Sequence, residues 1–316
     1  MLTDALSRDR RAGAFRRLAP RPYARARVLL FPHGGGSASY YRPWAAAAPW
    51  DIEFLAVQYP GREDRYTEPV PADMQRLAAV LAADLPLDGP PLPTILFGHS
   101  MGAIVSYEIA RHLTALGEPP TGLVVSGHPA PALTRPGRVH LGSDAELIEE
   151  LRRTDATHRD LLDNASFIQA FLPVIRSDYR LSETYRPLPG ARLRTPVTVL
   201  YGDRDPEINS SEADGWREVT DSPCELRVFE GGHFYLDEHR DSVIALLTAQ
   251  ARAASETSAT HGRPPRDRPP TGQEGTTARG ATRRPAGGAG LARRLGRVCG
   301  RQHEDIPASE LRTVIP

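Results

Sequence analysis

The sequence predicts an α/β protein built on a mostly parallel central sheet. Three observations carry that reading. Six short β-branched or aromatic runs recur between residues 26 and 229, helical patterns separate most of them, and 40% of the 316 residues are hydrophobic. Strands joined through helices form parallel crossover units, whose sheets need helices on both faces. The length allows one large domain or two small ones.

The strand candidates are residues 26–32, 52–58, 94–98, 122–127, 197–201 and 225–229. They are bounded by Pro, Gly, Asp or His, in keeping with strand ends. Helical spacing puts Met74, Leu77, Val80 and Leu81 on one face of 74–84. It groups Ile104, Val105, Ile109 and Leu113 within 102–116, and Val243, Ile244 and Leu247 within a closing helix at 240–250. The interval 129–195 breaks the alternation, with helical patterns but no clear strand. There Ser143 and Glu146 form a capping box before LIEELRR. Residues 165–185 read as helix, with Pro173 as a kink or restart. An insertion of this length, placed after a strand end where such sheets bind ligands, is expected to be a helical lid.

Charge divides the chain unevenly. Its 39 basic residues, all Arg, balance 39 acids. Residues 1–27 carry eight Arg and two Asp, and residues 251–316 carry twelve Arg and six acids, each a net +6. Residues 28–250 keep 19 Arg against 31 acids, a net −12. The expected organisation is a basic arm at 1–25, a folded domain at 26–254 and a disordered Arg/Pro/Gly-rich tail at 255–316. The tail has too little apolar area to offset its ordering entropy. The tail has no aromatics and the arm only Phe15 and Tyr23, so base stacking on nucleic acid is not expected. There is no apolar run of about 18 residues for a membrane span, and a secretory leader is not expected because residues 1–20 hold no continuous apolar stretch. Cys224 and Cys299 are the only cysteines, which excludes a disulfide scaffold and a cysteine-only zinc site. A cytoplasmic protein is expected.

The chemistry begins at Gly98-His99-Ser100-Met101-Gly102, a G-x-S-x-G run between a predicted strand and a predicted helix. Small residues on both sides of such a turn relieve crowding and lift the serine hydroxyl above the sheet. The Met101 N–H would then stand at a helix N-terminus, aimed at a developing oxyanion. A serine nucleophile needs a base, and the base needs an orienting carboxylate, in the chain order Ser, acid, His. His233, in Gly231-Gly232-His233-Phe234 after the last strand, is the candidate base. His33, His99 and His128 also end strands and read as loop or pocket residues, while His239 starts the last helix. The acid lies in Tyr201-Gly202-Asp203-Arg204-Asp205-Pro206, where Asp203 and Asp205 are nearly even on sequence alone. The loop Phe31-Pro32-His33-Gly34-Gly35-Gly36-Ser37 supplies a second oxyanion donor, the Gly34 N–H. A phosphate cradle fails because no Lys-Ser/Thr follows the glycines.

With these residues the chain resembles the standalone, or type II, thioesterases of polyketide and nonribosomal peptide assembly lines. The resemblance rests on FPHGGGSASYYRPW (31–44), VQYPGREDR (57–65), FGHSMGAIVSYEIAR (97–111), FLPVIRSDYRLSETY (171–185), YGDRDP (201–206) and GGHFYL (231–236). It implies an α/β-hydrolase fold with a helical lid, no cofactor or metal, and a triad of Ser100, His233 and Asp205. It also implies hydrolysis of acyl groups from carrier-protein phosphopantetheine, in an editing role. Where many members have Tyr-Ala after the strand's Pro, this chain has His33-Gly34. A start close to the hydrolase segment is expected of a standalone enzyme, acting as a monomer. The rivals are a general carboxylesterase or amidase on the same triad, and a non-catalytic binding protein of the same fold.

Overall fold

The computed structural model describes residues 13–86, 91–154 and 165–261. Seven strands form one sheet in the order β1-β3-β2-β4-β5-β6-β7. They are β1 (Phe15–Arg17), β2 (Ala26–Phe31), β3 (Ile52–Val57), β4 (Thr94–His99), β5 (Gly122–Ser126), β6 (Val197–Gly202) and β7 (Cys224–Phe229). All neighbours pair in parallel except β1, which runs antiparallel to β3.

All six residues of β2, β3 and β6 are buried. Side chains alternate between faces along a strand, so each central strand feeds two cores. Leu29, Phe31, Leu55, Leu96 and Val125 pack under the helices α2 (Met74–Ala83) and α3 (Met101–Ala115). Val28, Leu30, Phe54, Phe97 and Val124 pack on the other face. There they meet Trp44 of α1 (Arg42–Ala47) and Val243 and Leu247 of the closing helix.

The insertion between β5 and β6 holds the helices α4 (Asp144–Arg153) and α5 (Ala165–Thr184). Helix α4 begins with the predicted Ser143–Glu146 capping box. Leu147 and Leu151 of α4 form a separate small core with Ile168, Leu172 and Ile175 of α5. Helix α5 runs through Pro173 without a restart. A short helix α6 (Ser210–Asp214) precedes β7, and α7 (Arg240–His261) closes the domain.

Two boundaries differ from the sequence reading. Residues 13–25 are part of the domain, not of an arm. The Ala14 carbonyl accepts from Gln58 N at 2.7 Å, Ala14 is fully buried, and Phe15 packs edge-on against Phe31 at 6.3 Å between centroids. A three-residue strand is too short to show periodicity, and two of its three residues are arginines. At the other end, α7 continues to His261, through residues assigned to the tail. The remainder of the tail and residues 1–12 lie outside the described residues.

Phe15→Ala should lower unfolding stability by about 1–3 kcal/mol in a denaturant titration, since the ring is half-buried against Phe31. A change within about 0.5 kcal/mol, normal for a solvated arm, would show that β1 does not contribute.

Candidate active site

Strand β4 ends at His99 and α3 begins at Met101, leaving Ser100 as the turn residue with φ 53° and ψ −122°. A side chain in that region is strained by about 1–3 kcal/mol and persists only where its surroundings enforce it. The two flanking glycines show what enforces it. A Cβ on Gly98 would lie 2.0 Å from the Gly102 carbonyl oxygen, and one on Gly102 would lie 2.1 Å from that of Phe31. The helix therefore sits directly on strands β2 and β4. The Ser100 N–H donates to the Ser126 carbonyl at 2.8 Å, fastening the turn to β5. Met101, first in a 15-residue helix, has an N–H without an intrahelical acceptor, at the positive end of the helix dipole.

The loops after β6 and β7 bring Asp205 to His233. His233 Nδ1 lies 2.9 Å and 3.0 Å from the two Asp205 carboxylate oxygens. Both side chains are buried, at 4% and 0% exposure. An Nδ1–H held by a carboxylate leaves Nε2 as the accepting nitrogen. Asp205 also accepts from the Glu207 N–H at 2.9 Å. Asp203, the competing candidate, instead accepts from the Gly231 N–H at 2.8 Å and lies beside Arg204. It ties the two loops together without contacting His233 in these bonds.

The other strand-end histidines line or back the same site. His99 Nδ1 bonds Ser126 Oγ at 2.9 Å, which bonds Tyr235 Oη at 2.7 Å. Its ring lies against His233, 4.9 Å between centroids. His33 meets the edges of Tyr40 and Phe234 at 5.0 and 4.8 Å. Burial, with the nearby His233 and Arg62 charges, pushes His33 down to about 3. Burial likewise lowers His99 and His128. His239 is set apart, on the Glu230 carbonyl at 2.9 Å.

Ser100, Met101, Gly34, His33 and His233 border one cavity of about 420 Å³. The insertion supplies much of its other wall, including Val139, Thr154, Tyr179 and Ser182. Charged groups stand there too: Glu150 and Arg153 pair at 2.7 Å, and Arg153 also pairs with Glu207. Among the described residues, no cluster of three or more His, Cys, Asp or Glu is placed to hold a metal ion. No helix among them is long and apolar enough to cross a membrane.

Sequence reasoning missed Arg62 and Asp178 as members of the site. Their ion pair, 2.8 Å long, joins the loop after β3 to helix α5. Both residues lie in the quoted motif runs, but no local spacing links positions this far apart in the chain.

A parallel sheet with a strained serine turn, a buried Asp–His pair and an insertion over the strand ends defines an α/β-hydrolase. The thioesterase domain family matches residues 26–251, and the chain belongs to that family. A Streptomyces griseus protein named as a probable cadicidin biosynthesis thioesterase is 41% identical over 236 residues. That match covers 74% of this chain and 65% of the relative, just under two thirds of its length. Thioesterase PikA5 of Streptomyces venezuelae is 41% identical over 227 residues, covering 71% of this chain and 80% of PikA5. Among solved structures, the type II thioesterase BorB from the borrelidin biosynthetic cluster aligns with a TM-score of 0.71 at 44% identity. It covers 75% of this chain and 97% of BorB.

The buried histidines set an acid limit. The unfolded chain protonates His33 near its ordinary 6.5, whereas the folded chain resists protonation down to about 3. The stability contributed by keeping it neutral is complete above that upper value and is lost progressively as pH falls between the two. His33→Phe should therefore make the melting temperature fall less steeply between about pH 6 and pH 4. An unchanged or steeper slope would show that His33 is not held neutral.

Proposed function

We propose that this chain hydrolyses acyl thioesters held on the phosphopantetheine of acyl or peptidyl carrier proteins. In that role it frees carriers blocked by wrong or stalled acyl groups in polyketide or nonribosomal peptide synthesis. It acts as a cytoplasmic monomer. One observation carries the chemical reading: the buried Asp205–His233 pair opens on the cavity that the strained Ser100 turn also borders. Membership of the thioesterase family and the likeness to BorB support the choice of bond.

On this reading Ser100 Oγ attacks the thioester carbonyl while His233 Nε2 takes its proton. Asp205 holds the imidazole through Nδ1 and stabilises its cationic form. The N–H groups of Met101 and Gly34 receive the negative charge on the tetrahedral oxygen. Collapse expels the pantetheine thiol, protonated by His233. A water, deprotonated by the same histidine, then attacks the acyl-enzyme and releases the acid. The two donors come from different elements, the N-terminus of α3 and the loop after β2, so their spacing depends on what holds that loop.

Ser100→Ala should keep its circular dichroism and melting temperature while turnover of an acyl-carrier substrate falls by several orders of magnitude. Near-normal turnover would sink the assignment of the nucleophile.

Asp205→Asn should cost about 10⁴-fold in kcat, the scale set by losing the orienting carboxylate. Asp203→Asn should cost less than about tenfold, because it only ties the Gly231 loop. The reverse ranking would move the acid to Asp203. A faster kcat/KM on a small oxygen ester than on the matching carrier thioester would identify a general carboxylesterase instead.

A further inference from the structure

The loop Pro32–Ala38, which carries Gly34, makes few of its own hydrogen bonds and is held from outside. Tyr59 Oη donates to the Pro32 carbonyl at 3.0 Å. The Ala38 N–H donates to Gln58 Oε1 at 2.9 Å, and Ser37 Oγ donates to Glu63 at 2.5 Å. Arg62 Nη1 donates to the Gly36 carbonyl at 2.9 Å. These ties come from the segment after β3. The remaining one comes from the insertion: the Gly35 N–H donates to Asp178 Oδ2 at 2.7 Å.

Arg62 and Asp178 also bind each other bidentately, both bonds 2.8 Å, with side chains 3% and 1% exposed. A buried pair of this kind loses most of its Coulomb gain to desolvation, so it is weak evidence for stability. Its bonds instead converge on the two residues that follow Gly34, the Gly35 N–H and the Gly36 carbonyl. The Arg62 guanidinium also lies 5.2 Å from the centre of the Tyr59 ring, the residue that holds Pro32. Glu63, next in the chain, has φ 48°, a left-handed conformation for a side-chain-bearing residue. Ser100 is the one other described residue besides glycine with positive φ.

We infer that Arg62 and Asp178 are positioning residues for the hydrolysis: they fix the Gly34 N–H as an oxyanion donor by clamping Gly35 and Gly36 from both sides. Because Asp178 belongs to α5, the donor is in place only when that helix of the insertion is seated. This inference rests on the acyl-transfer reading, with Ser100 as nucleophile. It also explains why Arg62 is a guanidinium. Four of its N–H directions are used, two on Asp178, one on Gly36 and a longer one on the Pro60 carbonyl at 3.4 Å, which an ammonium with three donors could not match.

The test separates positioning from stability. The double variant Arg62→Met with Asp178→Leu removes both buried charges together, a change that commonly leaves stability intact. With a short pantetheine thioester, kcat should fall about 10²–10³-fold, the scale of losing one oxyanion donor, while KM changes less than about threefold. The second-order rate of Ser100 labelling by a fluorophosphonate should fall at least about tenfold, since its phosphoryl oxygen uses the same donors. A purely structural role predicts the opposite, recovery of kcat once the charges are removed together. If the double variant does not fold, Arg62→Lys carries the test: it keeps the charge and should still lose about tenfold in kcat and in labelling. A folded variant with kcat and labelling within threefold of the parent overturns the inference. Failure of the parent enzyme itself to label at Ser100 overturns the acyl-transfer reading, and the inference with it.

Discussion

Much of the carboxyl edge of the sheet depends on how closely α3 rests on strands β2 and β4. At Gly102 the helix backbone comes within touching distance of the Phe31 carbonyl, and any side chain there would force it outward. That contact leaves no relaxed path from strand to helix, so Ser100 must take a positive φ. Interiors pack too densely for the strain to dissipate by small shifts. The same contact sets Met101 at the start of the helix with its N–H facing the strand ends. One steric constraint thus fixes both Ser100, the proposed nucleophile, and the Met101 N–H, the proposed first oxyanion donor.

The remaining groups are placed by loops, and these are secured by bonds between loops rather than by the sheet. Asp203 holds the Gly231 turn, and Asp205 holds His233. Arg62, Gln58, Tyr59 and Asp178 hold the glycine loop. His99, packed against His233 and bonded to Ser126, supports the imidazole from beneath without competing for its proton, because burial keeps His99 neutral. The buried anchors among these, Asp205, Gln58, Arg62 and Asp178, all find partners, the condition under which such networks rigidify a site.

The parallel sheet was legible because its central strands are buried on both faces and read as continuous apolar runs, as in Val28–Phe31. The serine turn was legible because a strand, a helix and two glycines leave a local signature. Asp205 and Asp203 were nearly even on sequence because both sit in one loop, and only the direction of the loop separates them. Arg62 and Asp178 gave no joint signal, since an ion pair between distant loops has no sequence period. Strand β1 was hidden for a different reason: with three residues, two of them arginine, it has neither length nor alternation, and only its partner β3 makes it a strand.

That strand also bears on the order in which the domain can assemble. Phe15–Arg17 pairs with Leu55–Val57, so the first described element of the chain has no neighbour until β2 and β3 have both been made. Strand β2, by contrast, pairs with β3 in the next crossover unit. Synthesised from the N-terminus, the chain presents β1 first, yet it can join only an already formed edge. Strand β1 therefore closes the outer margin of the parallel units only once β3 is in place. A short, arginine-bearing edge strand suits that late role, because it covers the open hydrogen-bonding groups of β3 while offering little apolar surface to other chains.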